Sequence, residues 1–350
     1  VTLFERERVG AGASRAAAGM LAAACEAEPG ETELLALNRM SQALWPDFVR
    51  ELEAASDLRV GYRDEGTLVV ALDRDDAARL RTTFEFQRGL GLDLRWLGAA
   101  EVHALEPHLH PSIAGAILGS GDHQVDNRRL VAALAEAFRR AGGVLRENSP
   151  VTALEIAGDR VVGVRLGEKV HNADTVVLAA GAWSPQLGAL KDRVRLPVRP
   201  VKGQALALQM DQAAPLLDHV VWTGRVYLVP RSDGRLIVGA TVEERGFDDR
   251  LTAGGMLALL DGAWRALPGC EELPIAESWV GFRPGSRDDA PILGPCALDG
   301  LVLATGHHRN GILLTPATAA LVAQFVLTHE VAKEMRPFGI DRFTAATKGF

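Results

Sequence analysis

Arg283 and Arg309 are the residues whose type and surroundings first suggest chemistry. The first lies in SWVGFRPGSRDDAPILGP and the second in GHHRNGILLTPATAA, each beside glycines and between apolar runs. A guanidinium can grip a carboxylate through two parallel hydrogen bonds. Placed between Phe282 and Pro284, it is either held by a buried acid or waiting for an acidic ligand. The second stretch favours the ligand. Residues 301–304 read as a strand, GHHRNG as a glycine-rich turn and the rest as a helix, so the turn and the helix N-terminus can receive an electron-rich group. Together these features predict a cofactor and an acidic substrate side by side.

The elements that must position these groups follow from apolar spacing. LLALNRMSQALWPDFVRELEAA (residues 34–55) and DNRRLVAALAEAFRR (126–140) have helical periodicity, as do residues 75–90. GTLVVAL has strand character, and YLVPR and RLIVGAT flank the turn signal Ser232-Asp233-Gly234, which predicts a hairpin. Tyr227 there alternates with Val226 and Leu228 and so points to the opposite sheet face, where it either packs or works. The apolar run TVVLAAG predicts a strand buried on both faces, with Gly181 at the carboxyl end, where open sheets bind ligands. Small residues 16–19 permit either close helix packing or close approach to a flat ligand.

VTLFERERVGAGAS opens the chain. An acid at the end of a second strand, Glu5 here, is where dinucleotide-binding units hold ribose hydroxyls, about 20 residues after a G-x-G-x-x-G turn. No such turn precedes it in this sequence. Two other readings remain open: Gly10-Ala11-Gly12 as the turn itself, with Arg15 at the third glycine position, or Glu5 as an exposed strand-end acid.

The 350 residues carry a net charge of -7 and are 47% apolar, which predicts substantial cores and argues against general nucleic-acid binding. Arg128-Arg129 and Arg139-Arg140 read as solvated helix faces. Cys25, Cys270 and Cys296 are too far apart for a CxxC pair, and His103, His108, His110 and His123 lack a compact ligand spacing, so neither a disulfide framework nor a metal is expected. No apolar run reaches the roughly 18 residues of a membrane span, and a reduced cytoplasm is the expected setting.

AAAGML (16–21), AAGAWS (179–184), PVKGQ (200–204), YLVPRSDGRLIVGAT (227–241), GFRPGSRDDAPILG (281–294) and GHHRNGILLTPAT (306–318) occur in this order. In that combination the chain closely resembles the glycine oxidase type of the flavin-dependent D-amino acid oxidase family, which serves thiamine biosynthesis. The resemblance implies a mixed α/β fold with a discontinuous, Rossmann-like FAD-binding domain (1–56, 125–197 and 283–350) and a β-rich substrate domain (57–124 and 198–282). It implies noncovalent FAD, held by Glu5, Arg6, Ala13, Ser14, Ala18, Gly19, Met20, Val151, Gly181 and the loop His307, His308, Arg309, Asn310, Gly311, Ile312 and Leu313. Arg283 would pair with the substrate carboxylate, Tyr227 would line the pocket, and Arg309 would be a second substrate-side residue. The implied reaction moves a hydride from the α-carbon of glycine or a small amino acid to the flavin. It yields the oxo acid and ammonia, with oxygen as the acceptor that becomes hydrogen peroxide.

Self-association is a further expectation of the family. The family's first strand and phosphate-gripping loop are absent from the sequence, so the resemblance predicts weak FAD retention by the chain as it stands. Arg225 stands beside the pocket tyrosine as a departure from the pattern: it either faces the pocket, favouring acidic or larger substrates, or sits on an exposed loop. The alternatives are a sarcosine or D-amino acid oxidase, a dehydrogenase of the same superfamily, and a noncatalytic truncated paralogue.

Overall fold

Alternating side chains in two separate stretches of sequence build the largest element. A computed structural model describes residues 1–191 and 193–345. In it, eight strands form one sheet in the order Ile275–Gly285, Arg199–Gln209, Arg235–Gly239, Tyr227–Pro230, Val220–Trp222, Thr67–Ala71, Gly115–Gly119 and Arg95–Gly98. All neighbours are antiparallel except Val220–Trp222 beside Thr67–Ala71. One face is a core: Leu68, Leu206, Leu228, Leu236 and Val238 pack with Leu259 and Ala263 of the helix Ala253–Ala266. The alternate residues face the other way, because successive side chains of a strand point to opposite faces. Ala207, Val229 and Ile237 there meet Ala18, with Tyr227 and Trp279 packed alongside. The predicted hairpin is present, with Gly234 at φ +84 in its turn.

Two parallel strand pairs carry the second layer. Thr2–Phe4 pairs with Val144–Arg146, and Val176–Leu178 pairs with Leu301–Thr305, which also pairs antiparallel with Ile292–Pro295. Around them lie the helices Thr32–Ser56, Asn127–Arg140 and Thr315–Thr328. The Asn127–Arg140 helix starts where an acid can cap it: Asp126 accepts from the N–H groups of Arg128 and Arg129. Its first turn also fixes the chain entering the site, since Asn127 donates to the carbonyls of Ser14 and Arg15.

Two sequence expectations are corrected. Val176–Leu178 is not buried on both faces. Val177 is 43% exposed, because its strand has Leu301–Thr305 on one side only and its outer face opens to a large cavity. Arg128 is not a solvated helix residue either: its guanidinium bonds Glu277 at 2.6 Å and lies 4.8 Å from the Trp279 ring centroid, tying the helix to the edge strand of the sheet.

Candidate active site

The free face of the sheet is shaped by glycines. Directly opposed residues share a face, so Gly203 across from Gly281, and Gly239 across from Tyr227, place two positions without side chains beside Arg283 and Tyr227. A Cβ on Gly203 would lie 2.6 Å from Arg283 Nη1, and one on Gly239 would lie 2.4 Å from the Tyr227 ring. The guanidinium therefore lies across one strand and the phenol ring across the next. Arg283 Nη1 donates to the Thr241 carbonyl at 3.1 Å, and among the described residues no carboxylate pairs with it. Burial raises the pKa of the Tyr227 phenol while the neighbouring Arg283 charge pulls it down, so the hydroxyl stays protonated and can donate.

Above this shelf is a cavity of about 1030 Å³. One wall is the narrow ribbon containing Ala13, Ser14, Ala18, Gly19 and Met20; another is the loop from His307 to Leu313, which leads into the helix Thr315–Thr328; Gly181, Tyr227, Arg283 and Arg225 also line it. Arg231 braces the ribbon from behind. It is 6% exposed and donates to the carbonyls of Ala18 and Val125 and to the side-chain oxygens of Gln124 and Asn127. Burial lowers its pKa to about 10, still well above neutrality. Gly19 must be glycine: φ is +71 and a Cβ would lie 2.0 Å from the Val125 carbonyl oxygen.

Burial also lowers the pKa of both loop histidines to about 4, against an attraction from Asp289 at His308. His307 shares a hydrogen bond with Thr318, while His308 Nδ1 is buried without a hydrogen-bond partner. Near neutrality the loop therefore presents uncharged imidazoles beside a helix start.

Arg309 is placed differently from Arg283. Although it lines the cavity, its guanidinium is engaged by protein carboxylates: Glu31 at 2.9 Å, Glu26 at 3.3 Å and Glu28 at 3.5 Å. Arg225 lines the mouth with its side chain 63% exposed and Asp261 3.6 Å away. Glu5, Arg6 and Val151 stand outside the cavity lining. Glu5 ends its strand and accepts from the Glu7 N–H, Arg6 lies 4.4 Å from the Trp183 ring centroid, and Val151 packs with Phe4 on a second core.

Residues 1–325 match the FAD dependent oxidoreductase (DAO) family. The chain belongs to that family. A glycine oxidase from Geobacillus kaustophilus is 37% identical over 98% of this chain and 90% of that protein. The crystal structure of glycine oxidase from that organism superposes with a TM-score of 0.90, covering 98% of this chain and 92% of that one. A bifunctional ThiO/ThiG protein of Trichormus variabilis is 36% identical over 95% of this chain and half of its own length. The structure of iminodiacetate oxidase from Chelativorans sp. BNC1 has a TM-score of 0.88 at 29% identity, over 97% of this chain and 92% of that one. This DAO-family chain is thus an FAD-dependent oxidoreductase of mixed helix and sheet.

The site fits the cofactor on its own terms. The cavity is large enough for a dinucleotide. Its ribbon of small residues admits a flat ring, and the opposite wall offers a loop and a helix start whose N–H groups can receive an electron-rich edge. Sequence reasoning missed Gly203, Gly239, Arg231 and Glu26. Cross-strand register gives the glycines their meaning, and PVKGQ and VGAT carry no sign of it; Arg231 beside the turn SDG and Glu26 in the acidic stretch CEAEPGE look like ordinary surface charges in the sequence.

Proposed function

We propose that this protein oxidises glycine or a similarly small amino acid at its α-carbon, giving the oxo acid, ammonia and hydrogen peroxide. The observation that carries this reading is the Arg283 guanidinium, without a carboxylate partner among the described residues and next to the Tyr227 phenol on a shelf cleared by two glycines. The residue 13–20 ribbon and the 307–313 loop would hold FAD noncovalently, with Glu5, Arg6 and Val151 as further contacts, and the bound flavin would supply the acceptor for the hydride and the electrons for oxygen.

Arg283 would take the substrate carboxylate in a two-pronged, charge-assisted pair, and Tyr227 would donate to the same group. With one end of the molecule fixed, the α-carbon hydrogen is aimed, and positioning supplies most of the rate. Ala205 and Trp222, which oppose Gly239 and Tyr227 across the strands, make the nearby wall apolar, which keeps water from the reacting carbon. The identity to glycine oxidase and ThiO/ThiG proteins supports a role in thiamine biosynthesis. In this reading 57–124 and 198–282 form the substrate domain and the rest holds FAD.

Peroxide assays on the flavin-loaded protein with glycine, sarcosine and D-alanine test the reading. Peroxide with glycine and weaker responses to the larger amines are expected. Substrate-dependent flavin reduction that oxygen fails to reverse would make the protein a dehydrogenase.

A further inference from the structure

Glu26 is the only carboxylate among the described residues that line the cavity. It follows Met20 by a few residues, its side chain is 15% exposed, and its Oε2 lies 3.3 Å from Arg309 Nε. Its charge reaches Tyr227, the phenol that neighbours Arg283. The same cavity thus presents, among the described residues, a cation without a carboxylate partner, Arg283, and an anion, Glu26, whose charge is felt at the tyrosine next to that cation.

An α-amino acid has the complementary charge pattern, a carboxylate and an ammonium on one carbon. If Arg283 takes the first, the second needs an anion. Oxidation at the α-carbon then requires the neutral amine, because a nitrogen lone pair must be available as the hydride departs. We propose that Glu26 is a further catalytic residue, facing the substrate ammonium and accepting a proton from it. An N–H bond breaks, its electron pair stays on nitrogen, and an O–H bond forms on Glu26. The inference rests on the amino acid reading above and adds to it the group that prepares the amine.

The surroundings suit that task. Burial raises the pKa of Glu26 to about 7, with Arg309 opposing the rise and Asp122, Glu28 and Glu31 adding to it. A base poised near neutrality is the effective kind. Cys25, the adjoining thiol, has its own pKa pushed up by burial and by Asp122. Tyr227 is held high and His307 and His308 are held near 4, so these neighbours keep one charge state around pH 7. Arg309 is shared with Glu28 and Glu31 and only partly neutralises Glu26.

Acetate, which is glycine without its amine, gives a readout independent of turnover. Its binding to the flavin-loaded protein is followed by the change in the visible flavin spectrum between pH 5.5 and 8.5. Acetate should bind best while Glu26 is protonated and weaken about tenfold as it ionises, one pK unit of repulsion. Glu26→Gln should make the affinity independent of pH, and Glu26→Asp should restore the dependence. In parallel, the rise of kcat/KM for glycine near pH 7 should move toward the amine's own pKa in Glu26→Gln and return in Glu26→Asp. A wild type that oxidises glycine, with the same pH limb in Glu26→Gln, overturns the assignment of Glu26 alone. A wild type that binds acetate but whose flavin no amino acid reduces overturns the proposed function instead.

Discussion

Arg283 has everything a carboxylate anchor needs except the carboxylate. Its Nη1 is held by the Thr241 carbonyl, so the side chain is oriented before any ligand arrives. Arg283→Ala should lower kcat/KM for glycine by about 100-fold, in line with roughly 3 kcal/mol for a charge-assisted pair. The flavin spectrum should be retained, and steady-state kinetics beside an absorption spectrum check both. Gly203→Ala makes the complementary test, because the new methyl must push on the guanidinium it approaches at 2.6 Å. A rise in KM of about tenfold with intact flavin binding is expected, since misplaced charged groups commonly cost about 1.4 kcal/mol or more. The arginine was legible in the sequence, because a charge between Phe282 and Pro284 in an apolar strand calls for a partner. The glycine was not, because its purpose appears only when Arg199–Gln209 and Ile275–Gly285 are set in register.

At the scale of elements, Asp126 joins two parts of the chain that sequence reading treated separately. Buried to 4% exposure, it caps the Asn127–Arg140 helix and takes a 2.8 Å bond from Arg235 in the hairpin. Asp126→Ala should therefore destabilise the fold by about 3 kcal/mol, combining a lost cap with a broken buried pair. By contrast, Glu136→Ala removes an exposed pair with Arg140 and should cost less than about 0.5 kcal/mol in the same denaturant titration. Local rules found the elements well: the capped helix, the hairpin around Asp233-Gly234 and the helix after the 307–313 loop all form. They failed at Val177 and Arg128. Apolar composition alone cannot say whether a strand has neighbours on both sides, and adjacent arginines cannot show that Glu277 and Trp279 lie across from one of them.

At the scale of the whole molecule, the site lies where the eight-stranded sheet meets the ribbon and the 307–313 loop, and ionisation links that meeting to stability. His307 and His308 have folded-state pKa values near 4, below the ordinary histidine value of about 6.5. Their contribution to stability is then complete above about 6.5 and is lost as pH falls through 4, since the unfolded chain binds those protons first. Glu26 acts in the opposite sense, its contribution being present below about 4.5 and lost as pH rises through about 7. His307→Gln should thus narrow the gap in unfolding free energy between pH 7.5 and pH 4.5 relative to wild type, as read from paired denaturant titrations. An unchanged gap would mean that His307 is not held neutral.

The central claim is that an amino acid bound at Arg283 reduces the flavin. Its most direct test is the visible absorption spectrum of the purified flavin-loaded protein before and after glycine is added without oxygen. The account predicts that the flavin bands bleach with glycine and return when air is admitted. Bands that stay oxidised with glycine, sarcosine and D-alanine alike would contradict it.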